Sequence, residues 1–94
     1  MYALSFDMNI AELEKSYGNP YNGAYFEIKR TLVKHGFYWI QGSTYMTNAE
    51  NLLNLFNAVN ALKEIDWFRE SVRDIRGYRV EEWSDFTEIV KNKK

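Results

Sequence analysis

Asp7 closes an alternating run in which Tyr2, Leu4, Phe6 and Met8 are separated by Ala3, Ser5 and Asp7 itself. A period of two gives a strand with one large apolar face and one small or polar face. A carboxylate on the small face, just ahead of a polar loop, has two readings. It can be a turn residue that hydrogen-bonds the backbone ahead of it, or a general base or metal ligand. A second concentration of chemistry lies further on. Four of the five arginines, Arg69, Arg73, Arg76 and Arg79, fall within eleven residues beside Glu70, Asp74, Glu81 and Glu82. A solvated surface of ion pairs accounts for such a run. So does phosphate binding, for which the guanidinium fork is better shaped than an ammonium. In a strand, Arg73, Ile75, Gly77 and Arg79 share one face and Arg76 points to the other, so the four cannot all reach one ligand. Arg73 and Arg76 are the phosphate candidates.

Ser43 and Thr44 follow a turn, where hydroxyls contact phosphate or simply serve the turn. His35 is the sole histidine. It falls in the last turn of an expected helix, where a partly positive side chain complements the dipole, and it is given no catalytic role. For Tyr38, Trp39 and Tyr45, packing in the core or at a dimer interface outranks stacking on bases.

Several function classes are excluded. There is no glycine-rich phosphate loop, no His-x-x-x-His pair and no Ser-His-Asp set, which removes P-loop hydrolysis and protease chemistry. The absence of cysteine removes disulfides, thiolate metal sites and thiol catalysis. The net charge is -1, from 12 basic and 13 acidic residues. A nucleic-acid ligand therefore needs a local patch or a groove built from two subunits. With 94 residues, 46% hydrophobic and 17% aromatic, the chain is expected to be one domain over 1–94, with enough apolar mass for a core and with rings left over for an interface. No apolar run approaches the roughly 20 residues of a membrane span. Nothing resembles a signal peptide, so a cytoplasmic location is expected.

The elements that would position these residues follow from spacing. After the first strand, Ile10, Leu13 and Tyr17 suggest a short helical turn broken at Gly18. Asn19-Pro20 is a helix start, and Tyr21, Ala24, Tyr25, Ile28 and Leu32 recur at helical spacing up to a terminator at Gly36, with Gly23 a modest weakness. Residues 37–41 and 43–47 form a hairpin. Asn48 is a cap for a helix whose buried stripe is Leu52, Leu55, Phe56, Val59 and Leu62. A short helix begins at Asp66. Ile75, Tyr78 and Val80 mark a last strand, with a bulge at Gly77. In the tail, Ser84 or Asp85 is a cap and Phe86, Ile89 and Val90 give one apolar side before a frayed basic end. Helix and exchanged strand both remain open for this tail. The order is α+β, the ferredoxin-like βαββαβ arrangement: a four-stranded antiparallel sheet with helices on one face and a C-terminal extension.

The stretches MYALSFDMN, PYNGAYFEIKRTL, GFYWIQGSTY and WFRESVRDIRGYRVEEWSDFTEIVK together resemble the virulence-associated protein D family, over residues 1 to about 91. That family is known as the toxin side of toxin–antitoxin pairs and as small endoribonucleases. Its fold is similar to that of the small CRISPR-associated nuclease subunit, a ferredoxin-like homodimer in which an aspartate ending the first strand is implicated in phosphodiester cleavage. The resemblance implies RNA cleavage by a dimer with Asp7 near its two-fold axis and a cognate antitoxin partner; Arg73, Arg76, Ser43 and Thr44 stay RNA-contact candidates on their own chemistry. One carboxylate is a poor metal site, but two copies of Asp7 across a dimer axis can share a hydrated Mg²⁺. Two rivals keep their place. One is a catalytically silent dimer that docks a protein partner, and the other is action on DNA. The slightly acidic balance weighs against a long duplex more than against a short single strand.

Overall fold

β1 (Tyr2–Met8) is the inner strand around which the molecule is organised. It pairs antiparallel with β3 (Thr44–Thr47) on one side and with β4 (Val72–Arg79) on the other. β3 in turn pairs with β2 (Tyr38–Gln41), giving the antiparallel order β2-β3-β1-β4. This is the expected ferredoxin-like order. The computed structural model describes residues 1–92. The basic end at Lys93 and Lys94, expected to fray, lies outside the described residues.

The helices are α1 (Ile10–Ser16), α2 (Asn22–Lys34), α3 (Leu52–Lys63), α4 (Asp66–Ser71) and α5 (Thr87–Lys91). Leu4, Phe6 and Met8 of β1 and Tyr45 of β3 share one core with Leu13 of α1, Ala24, Ile28 and Leu32 of α2, Leu55, Ala58 and Leu62 of α3, and Phe68 of α4. The large side chains of the period-two strand thus meet the 3.6-period stripes of the helices. The Phe6 ring stacks on Tyr45 and meets Phe68 edge to face.

Local chemistry explains several boundaries, and several expectations change. α1 is two turns long, because the Asn9 side chain accepts the Glu12 N–H at 3.1 Å and caps it. α2 starts at Asn22 rather than at Pro20, because residues 18–21 are used in the connection, where Gly18 takes a φ of 123°. Asn48 does not cap α3. Its side chain accepts the Tyr38 hydroxyl at 2.9 Å, and Asn51 caps instead, accepting the Leu53 N–H at 2.8 Å. The α3 stripe is rotated from the one expected. Leu55, Ala58 and Leu62 are buried, while Leu52 and Phe56 are both 60% exposed. His35 is the C-cap of α2, its Nδ1 3.0 Å from the Thr31 carbonyl, as a dipole-complementing residue should be. Gly77 is no bulge. It is a close approach: a Cβ there would sit 2.8 Å from a Leu55 methyl. The tail contains the short helix α5, and Trp83 to Thr87 with Val90 face β2 residues Ile40 and Gln41 across a cleft of about 650 Å³. No helix among the described residues is long and apolar enough to cross a membrane.

Candidate active site

The second face of the sheet carries Ser5 and Asp7 from β1. Because directly opposed residues in an antiparallel pair point to the same side, the register decides their neighbours. Ser5 lies opposite Thr44 on one side and Arg76 on the other, and Asp7 lies opposite Asp74. Two carboxylates are therefore side by side at the end of the β1–β4 pair. Like charges in that position repel, and two guanidiniums offset them. Arg76 Nε donates to Asp74 at 3.0 Å, and Arg73 Nη1 stands 3.6 Å from Asp7 Oδ2.

Arg73 reaches Asp7 because of an irregularity. The β1–β4 register shifts between Asp7 and Met8: Asp7 faces Asp74 while Met8 faces Val72, which leaves Arg73 as the extra residue. Strict alternation puts Arg73 on the face of Ile75 and Gly77, away from Arg76. The bulge re-aims it toward the Asp7 corner, as bulges beside functional positions do. The bulge thus lies four residues before the glycine where it was expected.

No hydrogen bond from Asp7 to the backbone ahead is present among the described residues, so the turn-former reading loses its support. The cap of the following helix is Asn9. Asp7 is 62% exposed and its partner Arg73 is 63% exposed. An ion pair this open to water contributes little to stability, so stability does not explain the arrangement. Beside the acids, a line of hydroxyls crosses three strands: Thr44 Oγ1 is 3.4 Å from Ser5 Oγ, which is 2.6 Å from the Tyr78 hydroxyl.

Of the site residues expected from sequence, Asp7, Arg73, Arg76 and Thr44 are brought to one face. Ser43 is not. Its carbonyl accepts the Phe6 N–H at 3.2 Å, and the residue lines a cleft on the helix side together with Phe6 and Tyr25. Arg69 is occupied at the end of α4, where it donates to Asp66 and to the Lys63 carbonyl. Among the aromatics, Tyr45 is core, and its hydroxyl is raised above its ordinary pKa by burial. Trp39 is exposed. Asp74, Ser5 and Tyr78 were not singled out as site residues by the sequence. Asp74 could have been found only by aligning the first and last strands, which makes it the direct neighbour of Asp7. No cluster of three or more potential acidic or histidine ligands for a metal ion exists among the described residues.

No protein-family model matches the chain. It is similar to curated proteins over nearly its full length. It is 58% identical to "Endoribonuclease VapD" of Dichelobacter nodosus, over 97% of this chain and 98% of that protein. It is 54% identical to "Endoribonuclease VapD 1" of Riemerella anatipestifer, over 92% and 97%. With "Endoribonuclease VapD" of Helicobacter pylori the identity is 52%, over 98% of this chain and all of that protein.

Proposed function

The chain belongs to the VapD endoribonuclease family, and on that premise we propose that it cleaves RNA phosphodiester bonds at the Asp7 corner, as a homodimer and as the toxin of a toxin–antitoxin pair. The observation that supports the location is the bulge that turns Arg73 toward Asp7 on the face that already holds Arg76. Cleavage needs a 2′-hydroxyl or a water deprotonated, the charge of the phosphorane stabilised and the departing oxygen protonated, which solvent water can do at this open corner. Asp7 is the base, exposed to substrate and free of backbone hydrogen bonds. Arg73 and Arg76 leave their carboxylate partners, or bridge them, to take the phosphate oxygens. The hydroxyls of Thr44, Ser5 and Tyr78 meet the sugar–phosphate backbone alongside.

The acids of one protomer do not by themselves make a metal site, since both already face guanidiniums. A Mg²⁺ ion would be held by Asp7 together with Asp7 of the partner subunit. It would keep most of its waters and neutralise phosphate charge there. Chelation by EDTA separates the two chemistries: a metal-dependent dimer loses cleavage, and a base-only site keeps it.

A protein partner such as an antitoxin is favoured by a different observation. Leu52, Leu53, Phe56 and Val59 of α3 and Gly77 of β4 line an apolar groove of about 480 Å³ open to solvent. The test of the main reading uses purified chain and end-labelled single-stranded RNA, beside an Asp7→Ala preparation made identically and a duplex DNA control. Fragments are expected from the wild-type chain on RNA alone. Equal cleavage by both preparations would overturn the role of Asp7, and preference for the duplex would overturn the substrate class.

A further inference from the structure

On the helix side of the sheet, between α2 and the β2–β3 hairpin, lies a cleft of about 610 Å³, in the size range of small-ligand sites. Its lining includes Phe6, Tyr25, Phe26, Lys29, Trp39 and Ser43. Four of these six are aromatic. The cleft begins at Phe6, the residue directly before Asp7, and Ser43 is bound to Phe6 through its carbonyl. None of the nine residues that line it is acidic, and Lys29 is its one charged residue, in no ion pair among the described residues.

Two of the lining rings are open to water. Trp39 is 54% exposed and Phe26 67% exposed. Neither is loose. The Trp39 indole N–H donates to the Gly42 carbonyl at 2.8 Å, which fixes the ring against its own turn. The Arg30 guanidinium lies 5.6 Å from the centroid of the Phe26 ring. A ring held in place while its face stays wet is a stacking platform that loses little entropy on binding.

We propose that this cleft is a nucleobase subsite: it takes one unpaired base of the RNA, stacked on Trp39, with an adjoining phosphate on Lys29, on the face of the sheet opposite the Asp7 corner. The proposal rests on the RNA-cleaving reading and deepens it, because a base can enter only if it is splayed out of a helix. The substrate class is therefore single-stranded or looped RNA.

The test uses the full chain and a single-stranded RNA carrying 2-aminopurine, whose fluorescence is quenched on stacking. Binding is measured with Asp7→Asn protein, so that cleavage does not intervene, and again with Trp39→Ala and Trp39→Phe added. The expected result is quenching with the first protein. Trp39→Ala should lose it, with affinity about tenfold weaker, the size of one lost base stack. Trp39→Phe should retain most of both. Lys29→Gln should lower the salt slope of binding by about one phosphate contact. Unchanged quenching and affinity in Trp39→Ala would overturn the subsite. So would a shift of Trp39→Ala to a smaller assembly in sedimentation with no quenching in any protein, since the cleft would then be an interface between copies. Trp39-dependent binding in a chain whose Asp7→Asn form still cleaves RNA would leave the subsite standing and remove Asp7 from the chemistry.

Discussion

Phe6 and Asp7 are neighbours in sequence and opposites in circumstance. Phe6 points into the helix-covered core between Tyr45 and Phe68, and Asp7 points into water beside Asp74 and Arg73. The Phe6 ring is buried against other rings, with one edge on the helix-side cleft. Around Asp7 the neighbours are charged, exposed and worth little to the fold. The period of the strand thus sorts packed apolar residues to one face and exposed charged ones to the other. The one place where the sorting is broken, the bulge at Arg73, moves a cation to the side of Asp7. Substitutions on the two faces should therefore separate cleanly in what they change.

The largest stability effect should come from the core face. Leu4 is fully buried, and Leu4→Ala should cost about 3 kcal/mol in urea unfolding, with the cleavage rate per folded molecule unchanged. Gly77→Val comes next, at about 2 kcal/mol, because its side chain would collide with Leu55. Asn51→Ala should cost about 1 kcal/mol, read as a lower melting temperature, through loss of the α3 cap. Arg73→Gln should change stability by less than about 0.5 kcal/mol yet slow RNA cleavage, which a rate assay beside thermal melting would show. A slow, destabilised Arg73→Gln or a catalytically impaired Leu4→Ala would blur the two faces. The smallest effect concerns pH. The Glu50 carboxyl, 2.8 Å from the N-terminal ammonium, is held below its ordinary value by that contact. Its small contribution is complete above the ordinary carboxylate range and fades as acid protonates the folded carboxyl. Melting curves taken down through that range should show the loss, and Glu50→Gln should remove it.

Much of this was readable from the sequence because it rests on local rules. The alternation of residues 2–8, the hairpin around Gly42 and the order of elements were enough to give the sheet its topology. Asp7 stood out because it ends the strand. What could not be read depends on pairing between distant segments. The Asp7–Asp74 neighbourhood needs the β1–β4 register. The re-aimed Arg73 needs a bulge that no glycine marks. Ser43 was a phosphate candidate through its hydroxyl near the strand ends, but its carbonyl accepts the Phe6 N–H and the residue lines the helix-side cleft. The expected α3 stripe is buried at Leu55 and Leu62 but exposed at Leu52 and Phe56, for a related reason. Leu52, Leu55, Phe56, Val59 and Leu62 are all apolar, and spacing alone does not say which edge of a wide stripe faces the sheet. Asn48 and Asn51 are equally good caps by composition, and the Tyr38 hydroxyl decides between them.

The central claim is that the exposed corner of the sheet, and not the buried face behind it, carries the reaction. The single-turnover rate of cleavage of a labelled single-stranded RNA by Asp7→Asn, with its melting temperature measured on the same preparation, tests this most directly. The rate should fall by on the order of 10²–10⁴ with the melting temperature within a degree or so of wild type, since the Asp7–Arg73 pair adds little stability. A wild-type rate from a folded Asp7→Asn chain would contradict it.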